Sequence, residues 1–177
     1  GLIGTWIVLR GLAFFSHAVG TAAFPGLVLA DGIGFAAPLG ALGAALVFAL
    51  ALAALPRRRF DDRGAETALV LVGMLALGVI LASDVFGSSA GIESLLFGSL
   101  LLIDGGDIAL AAGVSAATLV AALVLGPRWV AAGFDADGEP TRAGRGLDLV
   151  LLMLIALACA ASLGAVGSLL VAALFVV

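Results

Sequence analysis

The sequence predicts an all-α, polytopic transmembrane helical bundle, on three observations. Hydrophobic residues make up 63% of the chain and charged residues 11%. Mean hydropathy is +1.30. Apolar runs of span length alternate with short polar segments over all 177 residues. A soluble domain carries about 25% charged and about 45–50% apolar residues. Burying this much apolar surface in a water-soluble fold of this size is not feasible, so much of it must face lipid. Residues 1–177 read as one transmembrane domain, with no linker or low-complexity tail. An apolar first segment without an initiator Met and an apolar last segment read as part of a longer chain.

A bilayer core takes about 20 apolar residues per helix. Gly1 to Leu9 is too short and reads as the tail of a span stopped at Arg10. The second span runs from about Gly11 to Leu29, is interrupted at Pro25-Gly26 and closes near Asp31-Gly32. Ala36 to Leu55 is the third, and Ala65 to Ser83 the fourth. A short apolar helix follows at Ser94 to Ile103, then a fifth span from Asp107 to Gly126. The last run, Leu147 to Val177, is too long for one upright span, and Gly164 and Gly167 divide it.

Orientation follows from arginine placement. All eight basic residues are Arg, and basic loops stay cytoplasmic. Pro56 to Gly64 carries Arg57, Arg58, Arg59 and Arg63 and lies inside by this rule. The segment Asp84 to Gly106 has acidic residues only and lies outside. The loop at residues 127–146 holds Arg128, Arg142 and Arg145 and is inside, as is Arg10. No basic face is left for nucleic acid.

Small residues recur at four-residue spacing, which lets membrane helices approach closely. Ala37, Ala41, Ala45, Ala49 and Ala53 form one stripe. Ala109, Gly113, Ala117 and Ala121 form a second, and Ala156, Ala160, Gly164 and Ser168 a third. The single Cys159 sits in an apolar run, where it reads as a packing residue.

Polar residues inside spans are costly and therefore informative. His17 is the only histidine, with Ala13, Phe14, Gly20 and Thr21 one turn away. Its two readings are a ligand or relay in a translocation path, and a neutral side chain hydrogen-bonded to a neighbouring helix. Pro25 removes a backbone donor. Broken helices in transporters use such freed groups to hold substrate near the midplane, whereas an ordinary kink is the plainer reading. Asp84, Asp104, Asp107 and Asp148 fall at span ends, where they read as solvated or capping carboxylates. The mixed-charge loop from Phe134 to Arg145 reads as solvated, or as a docking element for a soluble partner. A phosphate-binding loop is excluded by the absence of Lys, and a zinc-protease motif by the single His.

Four stretches together resemble the ABC-3 permease family, the membrane subunits of ATP-driven importers for zinc, manganese and iron. The first is Arg10 through Ser16-His17-Ala18-Val19 to Phe24-Pro25-Gly26-Leu27. The second is Arg57 to Arg63 followed by Glu66-Thr67-Ala68. The third is Ser94-Leu95-Leu96-Phe97-Gly98. The fourth runs from Gly133-Phe134-Asp135 to Leu147-Asp148, and continues at Ala165 to Leu174.

The resemblance implies a BtuC-like helical bundle in the bacterial plasma membrane, importing a divalent cation such as zinc or manganese. It implies a path lined by His17, Ser16, Thr21 and Pro25, with His17 touching the metal. Residues 127–146 would be the cytoplasmic coupling loop, with Asp135, Asp137, Glu139, Arg142 and Arg145 meeting the ATPase subunits. A second permease subunit and an extracytoplasmic solute-binding protein complete the implied assembly. The subunit would bind no cofactor and hydrolyse nothing; the partner ATPases would use ATP. One departure stands out: Ala13 occupies the position where the family carries an Asp one turn before the His. Two other readings remain, a permease for a metal chelate, siderophore or vitamin, and a membrane subunit without transport activity.

Overall fold

The computed structural model describes residues 2–55, 63–85, 105–134 and 146–162, and every element among them is helical. The helices are α1 (Leu2–Leu9), α2 (Ala13–Ala22), α3 (Phe24–Ile33), α4 (Ala37–Ala54), α5 (Arg63–Ile80), α6 (Gly105–Phe134) and α7 (Gly146–Ser162). A π-helical turn, Leu81–Val85, extends α5. Four segments are long and apolar enough to cross a bilayer: Ala13–Ile33, Ala37–Ala54, Gly64–Ser83 and Ile108–Val130. The helix expected at Ser94 to Ile103 and the dividing glycines Gly164 and Gly167 lie outside the described residues.

Chain direction follows from a few contacts. Gly11, at φ +63°, ends α1 in the left-handed conformation that glycine adopts freely. There the Leu12 N–H donates to the Ile7 carbonyl at 2.8 Å. Helices α2 and α3 then run away from Arg10. Helix α4 returns antiparallel to them, because Phe48 stacks on Phe15 at 5.5 Å while Gly40 lies against Gly26. Helix α5 goes out again, bringing Gly78 against Phe24 and Pro25. Helix α6 brings the chain back, since Trp129 meets Arg10. Arg10, the start of α5 and the flanks of the 127–146 loop therefore share one end of the bundle. The start of α6 and the π-turn lie at the other. This is the arrangement the arginine distribution predicts.

The second span is less broken than its sequence predicts. Ala23, which joins α2 to α3, has helical angles (φ −68°, ψ −18°). The Ala23 N–H reaches the Val19 carbonyl at 3.1 Å, and the Leu27 N–H reaches Ala23 at 3.1 Å. Pro25 sits in the first turn of α3, where a proline's missing donor costs little. The fifth span is longer than predicted: α6 continues through Pro127 to Phe134. The buried Trp129 anchors these added residues, and packing there outweighs the lost backbone bond. The first part of the 127–146 segment is therefore helical.

The core is built on α2. Ile7, Leu12, Phe15, Val19, Ala45, Phe48, Ile155 and Cys159 form one buried cluster. Cys159 and the central stripe residues Ala41, Ala45 and Ala49 of α4 are buried, as are Ala156 and Ala160 of α7. The α6 stripe differs: Ala109, Gly113 and Ala117 are exposed. A Cβ on Gly113 would meet nothing within 4 Å. Gly113→Ala should therefore stabilise the isolated chain by up to ~1 kcal/mol through helix propensity alone. The measurement is a thermal midpoint in detergent. A fall on assembly with a second subunit would identify that helix face as a contact.

Three hydroxyls in the apolar helices are satisfied by carbonyls of their own helix, as a medium without water favours. Ser16 Oγ donates to the Ala13 carbonyl at 2.8 Å, Thr118 Oγ1 to Val114 at 2.7 Å, and Ser162 Oγ to Ala158 at 3.0 Å.

Candidate functional site

His17 lies on the first turns of the central span. It is about 6 Å along the helix axis from Ala13, so nearer the arginine-bearing end than the middle. Its side chain points outward from the bundle of described residues, on a strip with Phe14 (44% exposed) and the half-buried Thr21. The opposite face of α2 carries Phe15, Ser16, Val19 and Ala22 into the core. Ser16, only 1% exposed, therefore faces the bundle interior and not the His17 strip.

Pro25 is buried too, and it borders a different feature. A groove of about 250 Å³ lies over the α3–α4 crossing, lined by Pro25, Leu29, Phe35, Leu39, Met74 and neighbours. It presents no side-chain oxygen or nitrogen, so it does not suit a bare hard cation. Pro25 has no N–H to offer the carbonyl of Thr21. That carbonyl lies one turn beyond His17. The structure thus brings His17 and Thr21 together on one face and places Ser16 and Pro25 elsewhere. No group of three His, Cys, Asp or Glu converges among the described residues.

The helix-face argument explains why His17 is notable. An imidazole in a membrane span either pairs with a neighbouring helix or faces a polar path. Here it faces outward with Phe14 and Thr21. That strip sets one imidazole and one hydroxyl beside the exposed Phe14 ring, away from the buried core of the described residues.

The arginine end contains a second constellation. The Arg10 guanidinium donates one N–H to Asp148 Oδ1 at 2.9 Å and another to the Trp129 carbonyl at 2.9 Å. The Arg10 and Asp148 side chains are only 12% and 15% exposed. Trp129 Nε1 donates to the Leu147 carbonyl at 3.0 Å, and its ring meets Trp6 edge-on at 5.6 Å. Asp148 is thus an ion-pair partner rather than the solvated or capping carboxylate its position predicts. The sequence carried one hint, a carboxylate set between Leu147 and Leu149 just inside an apolar run. Trp129 gave none. The coupling residues Asp135, Asp137, Glu139, Arg142 and Arg145 lie outside the described residues.

Comparison with known proteins decides the family. The sequence pattern of the ABC 3 transport family matches residues 1–177. The chain belongs to the ABC 3 transport family. Among its relatives in this family is the manganese transport system membrane protein MntC of Halalkalibacterium halodurans. The two are 26% identical over 99% of this chain and 61% of that protein. A probable metal transport system membrane protein of Thermotoga maritima is 30% identical over 99% of this chain and 63% of its own length. Among solved structures, PsaBC from Streptococcus pneumoniae in complex with Fab superposes with a TM-score of 0.73 at 26% identity. That match covers 99% of this chain and 64% of the other. The chain therefore spans just over three-fifths of the length of these three proteins. As a member of this family it is an all-helical membrane protein with the permease fold.

Proposed function

We propose that this chain forms the membrane-spanning part of a permease subunit in an ATP-driven importer of a divalent metal cation, with Mn²⁺ the first candidate. The observation that carries the reading is the family match across residues 1–177, with manganese transport named for its relatives. Two permease subunits would enclose the path, with His17 and Thr21 of each lining it. A solute-binding protein would deliver the cation from outside the plasma membrane. ATPase subunits would dock at the loop carrying Asp135, Asp137, Glu139, Arg142 and Arg145. They alone would bind and hydrolyse ATP, and the permease would alternate between outward- and inward-open arrangements.

One observation favours a second reading. Ala13 leaves His17 without a carboxylate one turn before it on the helix, and an isolated imidazole is a weak site for Mn²⁺. A permease that passes a metal chelate needs no such pair.

Reconstitution with the ATPase subunits and binding protein in proteoliposomes tests both. The proposal expects ATP-dependent Mn²⁺ uptake that falls about tenfold in His17→Ala. Uptake of a ferric siderophore with no Mn²⁺ uptake would select the second reading. Uptake of neither would leave a membrane subunit without transport activity. Equal Mn²⁺ uptake by wild type and His17→Ala would make His17 a packing residue.

A further inference from the structure

We propose that Arg10 is a positioning residue that ties the His17-bearing helix to both ends of the coupling loop, so that the two move as one body. This rests on the importer reading above and extends it to how motion reaches the path.

The geometry points to this directly. Trp129 precedes Asp135 by six residues, and Asp148 follows Arg145 by three. The chain thus leaves for the loop and returns from it beside the same guanidinium. Arg10 holds both flanks through separate N–H groups, each at 2.9 Å. The flanks are also joined to each other by the Trp129 Nε1 bond to Leu147. A planar, forked guanidinium suits this task, since it makes two bonds of fixed direction at once.

The other end of the tie is short and stiff. Gly11 turns the chain, and α2 starts two residues later with His17 on its second turn. Core packing of Phe15 on Phe48 and the burial of Val19 leave α2 little freedom to yield locally. A displacement of the loop flanks is therefore passed to α2 instead of being absorbed between them. Pairwise shifts of this kind, carried by rigid elements, are how domain motions are transmitted.

The test uses the permease assembled with its ATPases in proteoliposomes. Mn²⁺ uptake and ATP hydrolysis are measured together, and spin labels at Ile33 and Arg128, both exposed, report distance with and without nucleotide. In wild type the label distance should be narrow and the same in both states. Arg10→Ala should broaden it or make it nucleotide-dependent. The variant should keep hydrolysis within about twofold while uptake per ATP falls about tenfold. Asp148→Asn, which keeps an acceptor oxygen, should lie between.

A wild-type distance that changes with nucleotide would overturn the proposal. So would unchanged uptake per ATP in both variants, or hydrolysis and uptake falling in proportion. Failure of both variants to assemble would make the fork a requirement for folding only, and would overturn it too. If wild type takes up no Mn²⁺, the transport reading fails on its own, and the label distances still decide whether the tie exists.

Discussion

Gly40→Leu is expected to leave almost no assembled protein, whereas Gly43→Leu, one turn away on the same helix, is expected to be close to wild type. Helices α3 and α4 cross with Gly26 and Gly40 face to face. A Cβ on Gly40 would overlap the Gly26 carbonyl and come within 2.9 Å of the Ala30 Cβ. A Cβ on Gly26 would likewise overlap the Gly40 carbonyl and sit 2.7 Å from the Ala44 Cβ. The obstacle in both cases is backbone, which cannot rotate away as a side-chain tip can.

Overpacking a well-fitted core costs about 1–3 kcal/mol for added methylenes that find some room. Here the helices themselves must separate, so the loss should exceed that range. It should also spread, because α4 carries Phe48, which stacks on Phe15 of the adjoining α2. In lipid no hydrophobic effect compensates, since apolar side chains gain nothing by leaving acyl chains for protein. Gly43 has nothing within 4 Å of a Cβ. The comparison of purified yield and thermal midpoint in detergent is therefore internal to one helix. A well-folded Gly40→Leu protein would refute the crossing. Gly26→Leu should match Gly40→Leu, and the double variant should be no worse than either, because both break one contact.

Sequence reasoning recovered the bundle because its strongest signals are averages. Span length, hydropathy and arginine asymmetry each sum over many residues, and the ends at which Arg10, Arg63 and Trp129 lie agree with them. What it missed were pairings. The three small-residue stripes look alike in sequence, yet the middle of the α4 stripe is buried, while Ala109, Gly113 and Ala117 of the α6 stripe face outward and only Ala121 packs on the core. Spacing says that a helix has a close-packing face but not which neighbour takes it. Gly26 and Gly40 illustrate the same limit, since neither is marked out among the 25 glycines of the chain. At the candidate site, His17 stood out for its chemistry. Whether it faced the core was not legible, because Phe14, Ala18 and Gly20 serve either orientation. Asp148 was misread for a related reason: its partner is 138 residues away, and no local pattern announces such a contact.

Trp129→Ala should be the most damaging substitution at the arginine end. The side chain is 1% exposed and contacts α1 through Trp6 and α7 through Leu147. Removing it deletes the edge contact to Trp6, the bond to the Leu147 carbonyl and most of the packing beneath α7. Large-to-small changes of a buried Trp cost about 3–5 kcal/mol in soluble cores, much of it from the unfilled cavity. That cavity term persists in a membrane protein. Little collapse is available to relieve it, since the existing void beside Trp129 and Ile155 is only about 10 Å³ and the walls are already close-packed. Trp129→Phe separates the contributions. It keeps an aromatic ring against Trp6 but removes the indole donor to the Leu147 carbonyl, a loss of about 0.5–1.5 kcal/mol. The Arg10 bond runs to the Trp129 backbone carbonyl, so neither substitution removes that acceptor. If Trp129→Phe retains uptake per ATP while Trp129→Ala loses it, the indole's role is to hold the backbone where Arg10 can reach it. Equal loss in both would assign that role to the Leu147 bond instead.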